Sequence, residues 1–267
     1  MSNVRAERLG RGSSSVGLAQ TDDAEPMAGS MIHDEAQDQE LAVGLPPDET
    51  NALKRRPLPP LVPAPRKGDP WVADAVKAVE ASIRKLIDEF RVHPFAHRVE
   101  HSLHVRLVQL LSEWDELRGW HPLKEGGFKS QLIHKEWPET YGEELKNGTS
   151  KRRGSFDIAI VTPDQLRRAS IDQFRLGRIA APIVIELGLG YWDTHLLADH
   201  KKLKDSKIEH GYLVHLSRMP SARRMYTEKL INGMQNVVYV HHDIPNRRVS
   251  YKTLDGKPIT EEDYSAE

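Results

Sequence analysis

The chain predicts a mixed α/β domain, a sheet flanked by helices and preceded by a disordered arm. Three observations carry that expectation. Two short Ile- and Val-rich runs, Arg152 to Val161 and Ala181 to Tyr191, are of strand length and bounded by Gly or Pro. Upstream of them, apolar residues recur three and four apart, the period of helices packed by one face. Downstream, strand-like and helix-like segments alternate, which requires crossover connections and hence parallel pairing.

Residues 1 to 69 show no helical or strand period and are rich in Ser, Gly, Asp, Glu and Gln. Such a segment buries too little apolar surface to offset its ordering entropy. Its end carries Pro57, Pro59, Pro60, Pro63 and Pro65, which predicts an extended, stiff spacer. The short cluster Lys54, Arg55, Arg56 reads as an ordinary solvated linker, or else as a contact for phosphate or a protein partner.

Trp71 to Phe90 is an amphipathic helix, with Val72, Val76, Val79, Ile83, Leu86, Ile87 and Phe90 on one face, and Asp69-Pro70 supplies the cap and first turn. A second helix is expected from about Ala96 to Leu117, its buried stripe being Val99, Leu103, Leu107, Leu110 and Trp114. At roughly 100° per residue, Glu100 falls about 60° from the centre of that stripe. His97, His101 and His104 are expected on the opposite, solvated face.

Phe128 to Trp137 is a first strand and Arg152 to Val161 a second, antiparallel to it, with Asn147-Gly148 as a turn signal between them. A helix-leaning connection, Pro163 to Arg178, precedes the third strand, Ile183 to Leu189. Asp193 to His210 is a charged helix with Leu196, Leu197 and Leu203 inward. Gly211 to Arg218 and Asn236 to His242 are further strands around a helix from Ser221 to Gly233. Arg247 to Leu254 adds an edge strand. The expected organisation is therefore an arm over 1–69, a folded domain over 70–255 and a fraying acidic tail over 256–267.

Composition bounds the function classes. The 267 residues contain no Cys, which excludes a disulfide framework and thiolate zinc sites. No apolar run reaches membrane-spanning length and the first residues lack an apolar signal core, so the expected setting is soluble and cytoplasmic. The formal net charge of -1 divides into -3 over residues 1 to 69 and +2 over the remainder, so any basic surface is local.

Asp157 and Glu186 each sit inside an apolar strand, where an ionised carboxylate is costly unless a cation or hydrogen-bond donors compensate it. Two such strands side by side form a candidate divalent-metal site. The order of elements from about 96 to 243, with Glu100 on a helix, Asp157 on the second strand behind Arg153-Gly154, and Glu186 on the third, resembles the PD-(D/E)XK nuclease superfamily. The resemblance implies a restriction-endonuclease-like fold and hydrolysis of phosphodiester bonds, of DNA first, by a water activated on Mg2+, with Mn2+ as an alternative ion. It implies that Asp157, Glu186 and the Leu187 carbonyl are direct ligands and that Glu100 orients metal-bound water.

The family pattern has a lysine two residues after the third-strand acid, and here that residue is Gly188. His195, Asp199 and Lys202 fall at i, i+4 and i+7 on one face of the following helix, and Lys202 is the first candidate for the missing amine, ahead of Lys201 and Lys135. Arg153, His195 and Lys201 are candidate nucleic-acid contacts. Gly188 motivates the alternative of a catalytically silent domain that binds nucleic acid or a protein. A rival pattern, His97-Arg-Val-Glu100-His101, matches the His-x-x-Glu-His motif of inverted zinc proteases, which needs both histidines on one helical turn facing a cleft.

Overall fold

The computed structural model describes residues 58–139, 154–191, 193–206, 208–218, 224–232 and 234–264. A seven-stranded mixed sheet, β3 to β9 in chain order across the sheet, forms the middle layer. Strands β3 (Ile133–Pro138), β4 (Ser155–Ile160) and β5 (Ile183–Leu189) are an antiparallel meander. Strands β6 (His210–Ser217) and β7 (Val237–Asp243) then run parallel to β5, each after a crossover helix. Strands β8 (Arg248–Lys252) and β9 (Thr260–Asp263) close the order with antiparallel pairs.

Helices α1 (Pro70–Val92) and α2 (Glu100–Ser112) cover one face of the sheet. Their apolar stripe, including Val79, Ile83, Phe90, Leu103 and Leu107, packs on Ile158, Ile160, Ile185, Leu187 and Val214. The opposite face carries the short helices α3 (Pro163–Arg168) and α4 (Ile171–Arg175), then α5 (Asp193–Asp205) and α6 (Arg224–Asn232). There Phe156, Val161 and Val184 form one apolar cluster, and Leu196, Leu213, Ile231 and Tyr239 another. The start of α1 follows its sequence signals: Asp69 caps it by accepting from the amides of Trp71 at 2.9 Å and Val72 at 3.3 Å, with Pro70 in the first turn.

Several sequence expectations are corrected. The folded unit begins before residue 70, because Val62 is buried and its amide donates to the Arg178 carbonyl at 2.9 Å. From Pro59 onward the proline run is a packed strap. Side chains of Arg178, Gln173 and Gln165 donate to the carbonyls of Pro59, Pro60 and Pro63, and proline lacks the amide but keeps the acceptor. At the other end, Thr260 to Asp263 of the acidic tail pair with β8 as an edge strand. The first strand is interrupted: Lys129–Ser130 (β2) pairs with His121–Pro122 (β1) in a separate ribbon. Leu197 is exposed, so Leu196 is the inward residue of its pair on α5.

Helix α2 is shorter than expected, starting at Glu100 and ending at Ser112. Val99 lies before it, in extended conformation and 45% exposed, so the inward stripe is Leu103, His104, Leu107, Leu110 and Leu111. Shifting the stripe by this amount carries His104 from the solvated face into the interior. His97 lies outside the helix altogether, so His97 and His101 do not share a helical turn and the inverted zinc-protease arrangement is not formed.

The β3–β4 ladder holds a local flip. Ile133 and its partner Ile160 face α1 and α2, whereas Trp137 and its partner Phe156 belong to the opposite face. Strict alternation would keep positions two and four apart on one face. The change occurs at Glu136, which has a left-handed backbone at φ 52°, opposite Asp157. Both acids are thereby turned toward α2.

Two outcomes test this account. Gln165 is fully buried, donates to the Pro63 and Ala180 carbonyls at 2.9 and 2.8 Å, and caps α3. Gln165→Ala leaves those acceptors without it and is expected to cost about 2–4 kcal/mol in denaturant unfolding. His242 is buried between the Phe90 carbonyl and the Tyr264 hydroxyl, and burial pushes its pKa from 6.5 down to about 4. A histidine held neutral in the folded state contributes stability that is present above its unfolded pKa and lost as pH falls toward the folded one. The unfolding free energy is therefore expected to fall between pH 6.5 and 4, and His242→Gln to flatten that fall by roughly 2–3 kcal/mol.

Candidate active site

The site gathers where α2, the β3–β4 flip, the end of β5 and α5 meet. Strand β5 supplies Glu186, 1% exposed, on the face away from α2. Its carboxylate accepts from the Lys202 ammonium at 2.8 Å, and the same amine donates to the Ser155 carbonyl at 3.0 Å. Asp199, one helical turn before Lys202, is 3.6 Å from that amine. Burial, and then the negative charge of Asp157, push Glu186 up to about 9, against the opposing pull of Lys202. Burial alone would lower the Lys202 amine, but the charges of Glu186, Asp199 and Asp157 outweigh it and raise it. Burial likewise raises Asp199.

On the α2 side, Asp157 accepts from the Leu187 amide at 2.7 Å. Glu100 accepts from the Leu189 amide at 3.1 Å and from the Tyr191 hydroxyl at 2.8 Å. Between them stands His104, whose Nε2 lies 3.8 Å from Glu100 and 3.9 Å from Asp157, beyond hydrogen-bonding distance. Burial is the largest influence on the imidazole and lowers its pKa, overriding the pull of the two acids. Glu136, held by the Ser155 hydroxyl at 2.9 Å, completes a group with His104 and Asp157 whose ligand atoms all lie within 4.8 Å of one another.

Of the residues predicted from sequence, Glu100 and Asp157 come together around His104, and Lys202 reaches Glu186 on the other face of the sheet. Leu187 is present through its amide, which holds Asp157. His195 lies beside this centre with its ring 5.0 Å from that of Tyr191. Lys201 does not join the acids: it is exposed and 3.8 Å from Asp205 on the outer face of α5. The Lys135 amine lies 3.0 Å from His101 Nδ1. Arg153 lies outside the described residues. Sequence reasoning passed over Glu136, Tyr191 and the inward placement of His104; the available signal for His104 was its i,i+4 spacing from Glu100.

Gly188 has a steric reason. A Cβ at this position would lie 2.7 Å from Cδ2 of Tyr191, so the tyrosine ring occupies the space that a lysine side chain would enter. Gly190, at φ 71°, makes the turn that brings the chain back there. Gly188→Ala is expected to displace Tyr191 from Glu100 and cost about 1–3 kcal/mol. Thermal melts of Gly188→Ala and of the same change combined with Tyr191→Ala measure it, the double variant losing less than the sum of the singles.

Comparisons with protein-family models, with curated proteins and with solved structures found no match.

Proposed function

We propose that this domain is a restriction-endonuclease-like, PD-(D/E)XK-type nuclease that hydrolyses phosphodiester bonds, DNA being the first substrate to try. The single observation that carries the reading is the Lys202 amine 2.8 Å from Glu186. It supports the idea that a lysine from α5 fills the role left open by Gly188. The run α2, three-stranded meander, α5, parallel strand agrees with the order of elements in that superfamily.

The donor chemistry suits a divalent cation, and Asp157 lies near enough for its charge to raise Glu186. Glu186 Oε1 is buried without a hydrogen-bond partner among the described residues, and Asp157 and Glu100 stand on the neighbouring elements. In this reading Asp157 and Glu186 would hold the ion, with Glu100 placed to orient water beside it and the Leu187 carbonyl assisting; Mg2+ or Mn2+ would supply a water of lowered pKa and neutralise charge on the phosphate. Glu186, raised to about 9, would give up its proton on becoming a ligand. Lys202, raised by its acidic neighbours, acts as a donor that orients water and screens phosphate rather than as a proton acceptor. The Leu187 and Leu189 amides fix Asp157 and Glu100 in place.

A second reading, a silent domain that binds nucleic acid, draws on Tyr191: its hydroxyl and the Leu189 amide already engage both oxygens of Glu100. Cleavage assays separate the two. The full chain with Mg2+ or Mn2+ is expected to cut plasmid or oligonucleotide DNA, Asp157→Ala to abolish cutting, and Lys202→Met to lower kcat by about 100-fold or more with the fold intact by circular dichroism. Nucleic-acid binding without cutting of DNA or RNA under either ion would favour the silent domain and end the enzyme reading.

A further inference from the structure

We infer that His104, Glu136 and Asp157 form a cation site with mixed nitrogen and oxygen ligands, on the α2 side of the sheet, suited to a first-row transition ion over Mg2+. It shares Asp157 with the proposed nuclease centre but stands whether or not the chain cuts nucleic acid.

The first support is the distance between donors. Two ligands each about 2.0–2.3 Å from one ion lie roughly 3–4.5 Å apart. The ligand atoms of these three residues all lie within 4.8 Å of one another, so side-chain shifts of less than about 1 Å bring them onto a common ion. The second support is independent of the acids. His104 is only 4% exposed, and neither ring nitrogen has a hydrogen-bond partner among the described residues. A buried imidazole ordinarily satisfies both nitrogens, since leaving either unmet is costly. Here Nε2 lies 3.9 Å from Asp157, a proposed ligand, too far to bond and near enough to share an ion, with Glu100 at 3.8 Å outside the ligand set.

The backbone is arranged for the same purpose. The flip of the β3–β4 hairpin turns Glu136 toward α2, where regular alternation would send it to the other face. The Ser155 hydroxyl holds one Glu136 oxygen and the Leu187 amide holds Asp157, an outer shell that orients the acids. Glu186 and Lys202 lie across the sheet and are not part of this group. An imidazole beside two carboxylates suits Zn2+ and is accepted by Mn2+, which binds nitrogen donors more readily than Mg2+, whereas Mg2+ prefers oxygen ligands and water.

The test uses Mn2+ alone as the probe, titrated into the full chain without nucleic acid and followed by calorimetry and pulsed electron paramagnetic resonance. Wild type is expected to bind Mn2+ at least 10-fold more tightly than Mg2+ and to show nitrogen hyperfine modulation from a bound imidazole. Glu136→Gln, a change at an exposed side chain, is expected to weaken Mn2+ binding about 10-fold or more with an unchanged melting temperature. His104→Gln is expected to remove the nitrogen signal and the preference over Mg2+. Should that variant fail to fold, the wild-type nitrogen signal and the Glu136→Gln titration decide the matter. Failure to bind Mn2+, bound Mn2+ without nitrogen coupling, or wild-type affinity in Glu136→Gln overturns the site. Nitrogen-coupled Mn2+ on a chain that cuts nothing sustains it and sinks the nuclease reading; cleavage without nitrogen coupling does the reverse.

Discussion

A carboxylate with 1% exposure, Glu186, sets the terms for the elements around it. Burying such a group unpaired is among the costliest placements in a protein interior. The neighbours answer in kind: α5 lies so that Lys202 bridges Glu186 and the Ser155 carbonyl, which ties the helix to both β4 and β5. Because that amine is itself mostly buried, the bond also fixes the depth at which the helix packs. Polar and apolar requirements coincide here, with the Lys202 amine 5.8 Å from the centre of the Phe156 ring.

The acids on the other side of the sheet are held mainly by backbone. Leu187 and Leu189 face α2 and its core or border it, yet their amides serve Asp157 and Glu100. The end of β5 therefore performs two tasks with the same residues, packing through side chains and orienting acids through the main chain. Tyr191 adds the final contact to Glu100, and the lack of a side chain at Gly188 is the condition for its ring to lie there.

Much of the fold was legible in the sequence because its signals are local. Ile183–Leu189 is an apolar run between Pro182 and Gly190, broken by Glu186 alone among charged residues, and it is strand β5 within those bounds. Asp69-Pro70 marked the start of α1. What was not legible depends on tertiary context. No period in the sequence reveals that Glu136 adopts a left-handed backbone and turns two acids to one face. The placement of His104 turned on whether Val99 belonged to helix α2, a boundary question that shifts every residue around the helical wheel. The prolines near residue 60 read as a spacer by composition, but Gln165, Gln173 and Arg178 from elsewhere in the chain bind their carbonyls. Among the site residues, Lys202 was reachable because helical spacing placed it on one face with Asp199 and His195.

Strand β9 closes the sheet in a way that bears on how copies of this chain meet. An outermost strand offers free amides and carbonyls to any second strand, the usual route to sheet-to-sheet stacking of chains. All four residues of Thr260–Asp263 are exposed and three are acids. Glu262 reaches Arg91 at 2.7 Å and Asp263 reaches Arg248 at 3.0 Å. A second copy docking antiparallel along that border would bring acid against acid and strip water from these ion pairs. The acids of β9 thus disfavour extension of the sheet from that side.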